Sequence, residues 1–180
     1  MLNWFVSQGS DPSTAWREVN EYEKTHAHFY VNCWHMNDGE SYLMWKAYAD
    51  RGFAIQTTFE RVQASFDDFS GIISGGIVKY VDFERDITPC GNVFNHVITK
   101  DLPYRDEREF RLIFWQPEPR NQSTVSEPNG TRVRVDLRML IERVYINPFE
   151  PNTVPSEIYE LLRERGIECS SSIIDHRIQP

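Results

Sequence analysis

An α+β domain with a mixed or antiparallel sheet is the fold class this sequence predicts, and three observations predict it. Its 180 residues suit one domain, 1–180, able to bury a core. Aromatic residues make up 13%, too many for a disordered chain. Short β-branched and aromatic runs mix with helical patterns in no strict alternation, giving about seven strands and three or four helices.

Taken in order, residues 1–25 are expected to be irregular, with a turn at Gly9–Pro12 and a short polar helix over 14–24. HAHFYVNCW (26–34) suits a buried strand. Asn37 and Glu40 suggest a capping-box helix start, and ESYLMWKAYAD is apolar on nearly every face. That pattern predicts a buried central helix over 39–50, packed on a sheet that includes 108–115, with Trp45 and Tyr48 in the core. Gly52 is placed to end it in a left-handed turn. GFAIQTTF (52–59) alternates as a strand, FERVQASFDDF reads as a helix, and IISGGIVKYV (72–81) reads as a strand with a Gly75–Gly76 bulge. A helical piece is expected within 93–99, a strand over 108–115, and a mobile polar loop over 116–130. TRVRVDL (131–137) alternates as a hairpin partner, and RVYINP (143–148) is a further strand. A helix with Ile158, Leu161 and Leu162 stops at Gly166, and IECSSSII closes as a strand.

Composition narrows the function. Net charge is −8 and the pI about 5.1, which disfavours a phosphate backbone as partner, so no nucleic acid is expected. Arg132, Arg134, Arg138 and Arg143 read as a solvated sheet face. No run approaches the ~20 apolar residues of a membrane helix, and MLNWFVSQGS lacks the pattern of a signal peptide. Cys33, Cys90 and Cys169 are odd in number and widely spaced, which suits reduced thiols and a cytoplasmic protein. Cys90 reads as a loop thiol and Cys169 as a packed strand residue.

The stretch KDLPYRDEREFRLIFWQ (100–116) carries the candidate site. Strand alternation puts Phe110, Leu112 and Phe114 on one face, expected to be the core face. Glu107, Glu109, Arg111, Ile113 and Trp115 fall on the other. Same-face neighbours are about 7 Å apart, so Arg111 can pair with Glu109. Such a row is either a salt bridge on a solvated face or, because Ile113 and Trp115 share its face, a partly covered site. A metal site at His26, His28, Cys33 and His35 is not expected, because the two pairs differ in parity along one strand. A Cys33/His35 thiolate dyad lacks a third orienting group. His96 and His176 look isolated. Gly75–Gly76 is too short for a phosphate loop.

The order YVNCW, LMWKAYADRGFAIQTTF, GIVKY, KDLPYRDEREFRL resembles the bacterial domain-of-unknown-function family 2971 over roughly residues 28–115. Leu43, Met44, Trp45, Tyr48, Ala49 and Gly52 match its first block. Lys100, Glu107, Glu109 and Arg111 match its second, with Tyr104 at an aromatic position. INP, the helix after it and the late serines are more loosely similar. The family's usual N-terminal basic and aromatic strand has no counterpart here, and its Cys-Phe-Ser is Cys33-Trp34-His35. The resemblance implies a bacterial protein with a site at the second block, and no activity. The element order is also similar to that of ADP-ribosyltransferases, although their Ser-Thr-Ser strand motif is absent.

Three readings follow. The first is a small-ligand-binding domain with a Glu/Arg-lined pocket. Arg111, Lys100, Tyr104, Trp34 and His35 would bind, Lys100 and Tyr104 near the rim, and no reaction or cofactor is assigned. The second is an ADP-ribosyltransferase-like enzyme using NAD. There Glu109 would stabilise an oxocarbenium-like transition state, Glu107 would position the nucleophile, and Trp34 or Tyr30 would stack on a base. The third is a non-catalytic protein-interaction domain.

Overall fold

A computed structural model describes residues 2–49, 51–66, 69–116, 126–127, 130–150 and 154–174. The helices are α1 (Leu2–Ser7), α2 (Pro12–Lys24), α3 (Tyr42–Tyr48), α4 (Phe59–Ala64), α5 (Asn95–Ile98), α6 (Leu137–Leu140) and α7 (Ser156–Glu164). The strands are β1 (Phe29–His35), β2 (Phe53–Gln56), β3 (Ile73–Ile77), β4 (Lys79–Val81), β5 (Thr99–Asp101), β6 (Glu109–Trp115), β7 (Ser126–Glu127), β8 (Gly130–Thr131), β9 (Arg143–Ile146) and β10 (Glu168–Ser171). The α+β class holds, with antiparallel and mixed pairing. Contacts gather the chain into two compact units, Met1–Met36 with Gly71–Arg132 and Asn37–Ser70 with Val133–Pro180.

In the first unit the N-terminal segment is helical rather than irregular. Asp11 caps α2 by accepting from the amides of Ser13 and Thr14 at 3.0 and 3.2 Å, and Pro12 opens the helix where its missing N–H costs nothing. The segment expected to start a strand at residue 26 is a 3-10 turn, Thr25–His28, and β1 begins at Phe29. β6 is the centre of an antiparallel β1-β6-β3 sheet. The expected strand over 72–81 breaks at Val78, whose N–H bonds the Glu109 carbonyl at 2.9 Å, and β4 pairs in parallel with β5 instead.

The Gly75–Gly76 bulge is not formed. Register runs unbroken from Ile73 opposite Phe114 to Ile77 opposite Phe110. The glycines serve close approach: a Cβ at 75 would lie 2.7 Å from Phe110 Cζ, and one at 76 would lie 2.9 Å from Ile98 Cγ2. Gly76→Val is therefore expected to cost about 2 kcal/mol through overpacking against α5, measured as a lower urea midpoint. An unchanged midpoint would show that α5 is not seated on the sheet.

The face of β6 expected to be its core is not the most buried one. Phe110, Leu112 and Phe114 are half-buried, whereas Ile113 and Glu109 on the opposite face are buried. The reason is α5 and the residue before it. Phe94 packs edge-on against Phe29 and Trp115, with centroids 5.6 and 5.7 Å away, and Ile98 lies over Gly76. A covering element 14 residues upstream thus buries the charged row.

Residues 117–125 and 128–129 of the expected loop lie outside the described residues. The hairpin partner expected over 131–137 is reduced to Gly130–Thr131 against Ser126–Glu127, and Asp136 then caps α6.

In the second unit β9 lies between β10, which is parallel to it, and β2, which is antiparallel. Its core is Ile141, Val144, Leu162 and Ile167, with Leu140 and Ile158 packed against it. α3 is shorter than 39–50 and is capped by Ser41 rather than Asn37. Glu40, expected at a capping-box position, instead accepts from the Trp45 indole at 2.9 Å, from the Ser172 hydroxyl and from the Ile173 amide at 2.7 Å. Trp45 is buried as expected, but Tyr48 is 67% exposed and Leu43 is exposed too, so α3 buries one face and not all of them. A helix of seven residues presents few turns to any neighbour. Tyr42 at its start packs edge-on against Phe149, with centroids 5.4 Å apart, and the Lys46 ammonium sits 3.8 Å from the centroid of the same ring. Gly52 and Gly166 both have positive φ, as their expected turns require. Cys90 lies in a loop as expected and is buried there, and Cys169 lies on β10 as expected but is exposed rather than packed. Among the described residues no helix is long and apolar enough to cross a membrane.

Candidate functional site

Three segments of the first unit bring four charges together. β6 carries Glu109 and Arg111, β5 carries Lys100, and the 3-10 helix Leu102–Glu107 between them ends on Glu107. Asp101 caps that helix by accepting from the Leu102 amide at 3.0 Å, and Pro103 opens it. Glu107 is thus not on the strand, as simple alternation predicted. Arg108 follows in the left-handed region at φ 46, and that reversal lets the chain leave the helix and enter β6. Arg108 is anchored by its N–H to Arg105 O and its carbonyl to Met36 N, at 3.2 and 2.9 Å.

Glu109 is the hub. Its Oε2 accepts from Arg111 Nε at 2.7 Å, and its Oε1 accepts from Arg111 Nη2 at 3.1 Å and from Lys100 Nζ at 2.7 Å. Lys100 also donates to Glu107 Oε2. The remaining guanidinium nitrogen, Nη1, donates to the Val97 carbonyl on α5 at 2.6 Å. The Glu109 amide donates to the Tyr80 hydroxyl at 2.9 Å. The cluster is layered. The side chains of Glu109 and Arg111 are 8% and 15% exposed, that of Lys100 is 23% exposed, and Tyr104, with Lys100 Nζ 4.7 Å from its ring centroid, is 51% exposed.

Electrostatics favour the ionised forms of Glu109, Lys100 and Arg111 and the thiol form of Cys33. Burial pushes the Glu109 carboxyl up, but the Arg111 guanidinium and the Lys100 ammonium outweigh it and hold it well below the usual carboxylate range. Burial pulls the Lys100 ammonium down, and Glu107 and Glu109 more than reverse that, so it stays charged. Arg111 is likewise opposed by burial and raised by Glu109. Burial, then Glu109, raise the Cys33 thiol. A Glu109 held ionised is a poor general acid, a charged Lys100 a poor nucleophile, and a protonated Cys33 a poor thiolate. The arrangement suits fixed binding more than proton transfer.

The other sequence candidates divide. Cys33 lies opposite Arg111 and His35 opposite Glu109, on the cluster's face. His35 Nδ1 donates to the Glu107 carbonyl, so no Cys33/His35 dyad forms. Trp34 lies opposite Phe110 on the other face, and Tyr30 stacks on Phe114 there at 6.1 Å, so neither aromatic joins the charges. Sequence reasoning missed Tyr80 and the Val97 carbonyl. A backbone acceptor carries no residue signature, and Tyr80 is 29 residues from Glu109. An open groove along α2, lined by Trp16, Arg17 and Asn20 among others, contains no member of the cluster.

His96 is not isolated, contrary to expectation; His176 lies outside the described residues. The Thr25 hydroxyl donates to the Tyr22 carbonyl at 2.6 Å, so its oxygen is left to accept from His96 Nε2–H at 3.3 Å. His96 Nδ1 then accepts from His26 Nε2–H at 2.7 Å. Burial first, then His26, lower the His96 pKa to about 4 from an ordinary 6.5. Between those values the unfolded chain holds the extra proton and the folded one does not. Stability is therefore expected to fall as pH drops from about 6.5 to about 4, and to lose no more through this group below that. Solvent screening at a half-exposed ring limits the loss to about 1 kcal/mol. Urea titrations of wild type and His96→Phe check it: the variant's stability should be flatter across this window, and equal slopes would refute the assignment.

Comparison with family models, with curated proteins and with solved structures finds no match to this chain.

Proposed function

We propose that this chain is a small-ligand-binding protein whose ligand sits over the outer layer of the ion cluster, against Lys100 and Tyr104. Glu109, Glu107 and Arg111, with side chains 8%, 12% and 15% exposed, form the inner layer that holds those groups in place. The observation that carries this reading is the graded exposure of a mutually neutralising quartet, from a buried carboxylate hub to a half-exposed aromatic lip. A purely structural ion pair needs no such lip, and buried charges are otherwise costly to keep.

A thermal-shift series tests it on wild type and Lys100→Met, a variant that removes an outer charge and leaves the Glu109–Arg111 fork. The panel holds NAD, ADP-ribose, ATP, neutral sugars and amides. A ligand at ~100 times its dissociation constant stabilises by ~2.7 kcal/mol, a rise of several degrees for a chain of this size. The expected result is a shift in wild type that Lys100→Met loses. No shift with any compound, or equal shifts in both proteins, would sink the reading.

One observation favours a second reading, an ADP-ribosyltransferase-like enzyme using NAD. Glu109 is held ionised, as a carboxylate facing an oxocarbenium-like centre must be. Against it, both Glu109 oxygens are engaged by Arg111 and Lys100. A shift with NAD accompanied by nicotinamide release would favour it over simple binding.

A further inference from the structure

We infer that the ligand is an uncharged molecule that donates a hydrogen bond from a hydroxyl or amide N–H to His35 Nε2, and is not a phosphate or other anion. The inference rests on the ligand-binding reading of the cluster.

Hydrogen-bond accounting leads to it. His35 Nδ1 faces the Glu107 backbone carbonyl, which can only accept, so Nδ1 carries the proton. In the neutral ring Nε2 is then an acceptor. That nitrogen is buried and has no hydrogen-bond partner among the described residues. A buried acceptor without a donor is destabilising, and native proteins rarely leave one unfilled. His35 stands opposite Glu109 on the cluster's face, and its ring is tied to the residue that ends the 3-10 helix.

The charged groups point the same way. Three of the five Arg111 N–H donors are engaged by Glu109 and Val97, and two of the three Lys100 donors by carboxylates. Two cations and two anions cancel, in a chain of net charge −8. An anion accepting the remaining N–H donors of Lys100 or Arg111 would lie beside the Glu107 and Glu109 carboxylates, which repel it. A neutral donor disturbs none of these pairs. The half-exposed Tyr104 ring offers it an apolar surface to lie on.

The test uses the full chain with 15N-labelled histidine, the side-chain nitrogen signals of His35, and three probes: D-ribose, nicotinamide and inorganic phosphate. The comparison variant is His35→Asn. The Asn side-chain NH2 occupies the place of Nδ1–H and can keep the bond to the Glu107 carbonyl, while the acceptor at Nε2 is removed. The expected result is that ribose or nicotinamide moves the His35 Nε2 signal in the direction of an accepted hydrogen bond, and that His35→Asn weakens that probe at least tenfold. Phosphate should leave Nε2 unmoved. If phosphate binds at Lys100 equally in both proteins, the site stands and the ligand class is wrong. If Nε2 is already hydrogen-bonded to a long-lived water in the free protein and no neutral probe displaces it, the inference fails although the site can still bind. If no probe disturbs any residue of the cluster, both the inference and the binding reading fail.

Discussion

Replacing Glu109 by Gln lowers stability by about 3 kcal/mol at neutral pH, seen in urea denaturation as a lower midpoint with an unchanged m value. The amide keeps the shape of the carboxylate and loses its charge. Arg111 and Lys100, at 15% and 23% side-chain exposure, then face a neutral group, and neither can swing fully into water. The size of the effect comes from leaving cations uncompensated, not from the net worth of the pairs, which burial largely offsets. A double substitution, Glu109→Gln with Arg111→Met, should therefore recover part of the loss. The sign of the acid limb follows as well. Glu109 is held below its unfolded value, so its stabilisation is present above about pH 4.3 and is lost as pH falls through the folded value. The Gln variant lacks that component. A change under about 0.5 kcal/mol would mean that the hub is solvated, because only exposed pairs contribute so little.

Truncating Trp45 to Ala costs about 3–5 kcal/mol, the range for a large aromatic side chain removed from a core. Trp45 is 4% exposed, and its indole N–H donates to Glu40, which also holds Ser172 and Ile173. Trp45→Phe separates the two contributions. It keeps most of the packing and loses the bond to a carboxylate, so about 1–2 kcal/mol is expected. Near-ultraviolet circular dichroism and denaturation midpoints of the two variants give the comparison. Equal losses in both would place the whole effect on the Glu40 bond, and a loss under about 1 kcal/mol for Ala would contradict a buried indole.

Local patterning made much of this chain legible. The β6 strand, the Gly52 and Gly166 turns, the helix that ends at Gly166 and the pairing of Arg111 with Glu109 all follow from spacing, because each is set by neighbours within a few residues. The residues that the candidate site gathers from 100, 107, 109 and 111 were also in view, since they sit in one short stretch.

Tertiary structure alone decided which face of β6 is inside. Alternation separates Phe110, Leu112 and Phe114 from Glu109, Arg111 and Ile113, but it cannot say what covers each set. That depends on Phe94, Val97 and Ile98 docking through Gly76, contacts with no periodic signature. The same holds for α3. Its composition marks it as apolar all round, yet only Trp45 is buried within it, because burial is fixed by what a short helix can reach. Sequence by itself determined the α+β class, the β6 strand, the Gly52 and Gly166 turns and the charged stretch. The fold determined that the charges are buried, that His35 Nε2 is buried without a partner among the described residues, and that Trp34 lies on the other face, because those outcomes depend on contacts between residues far apart in the chain.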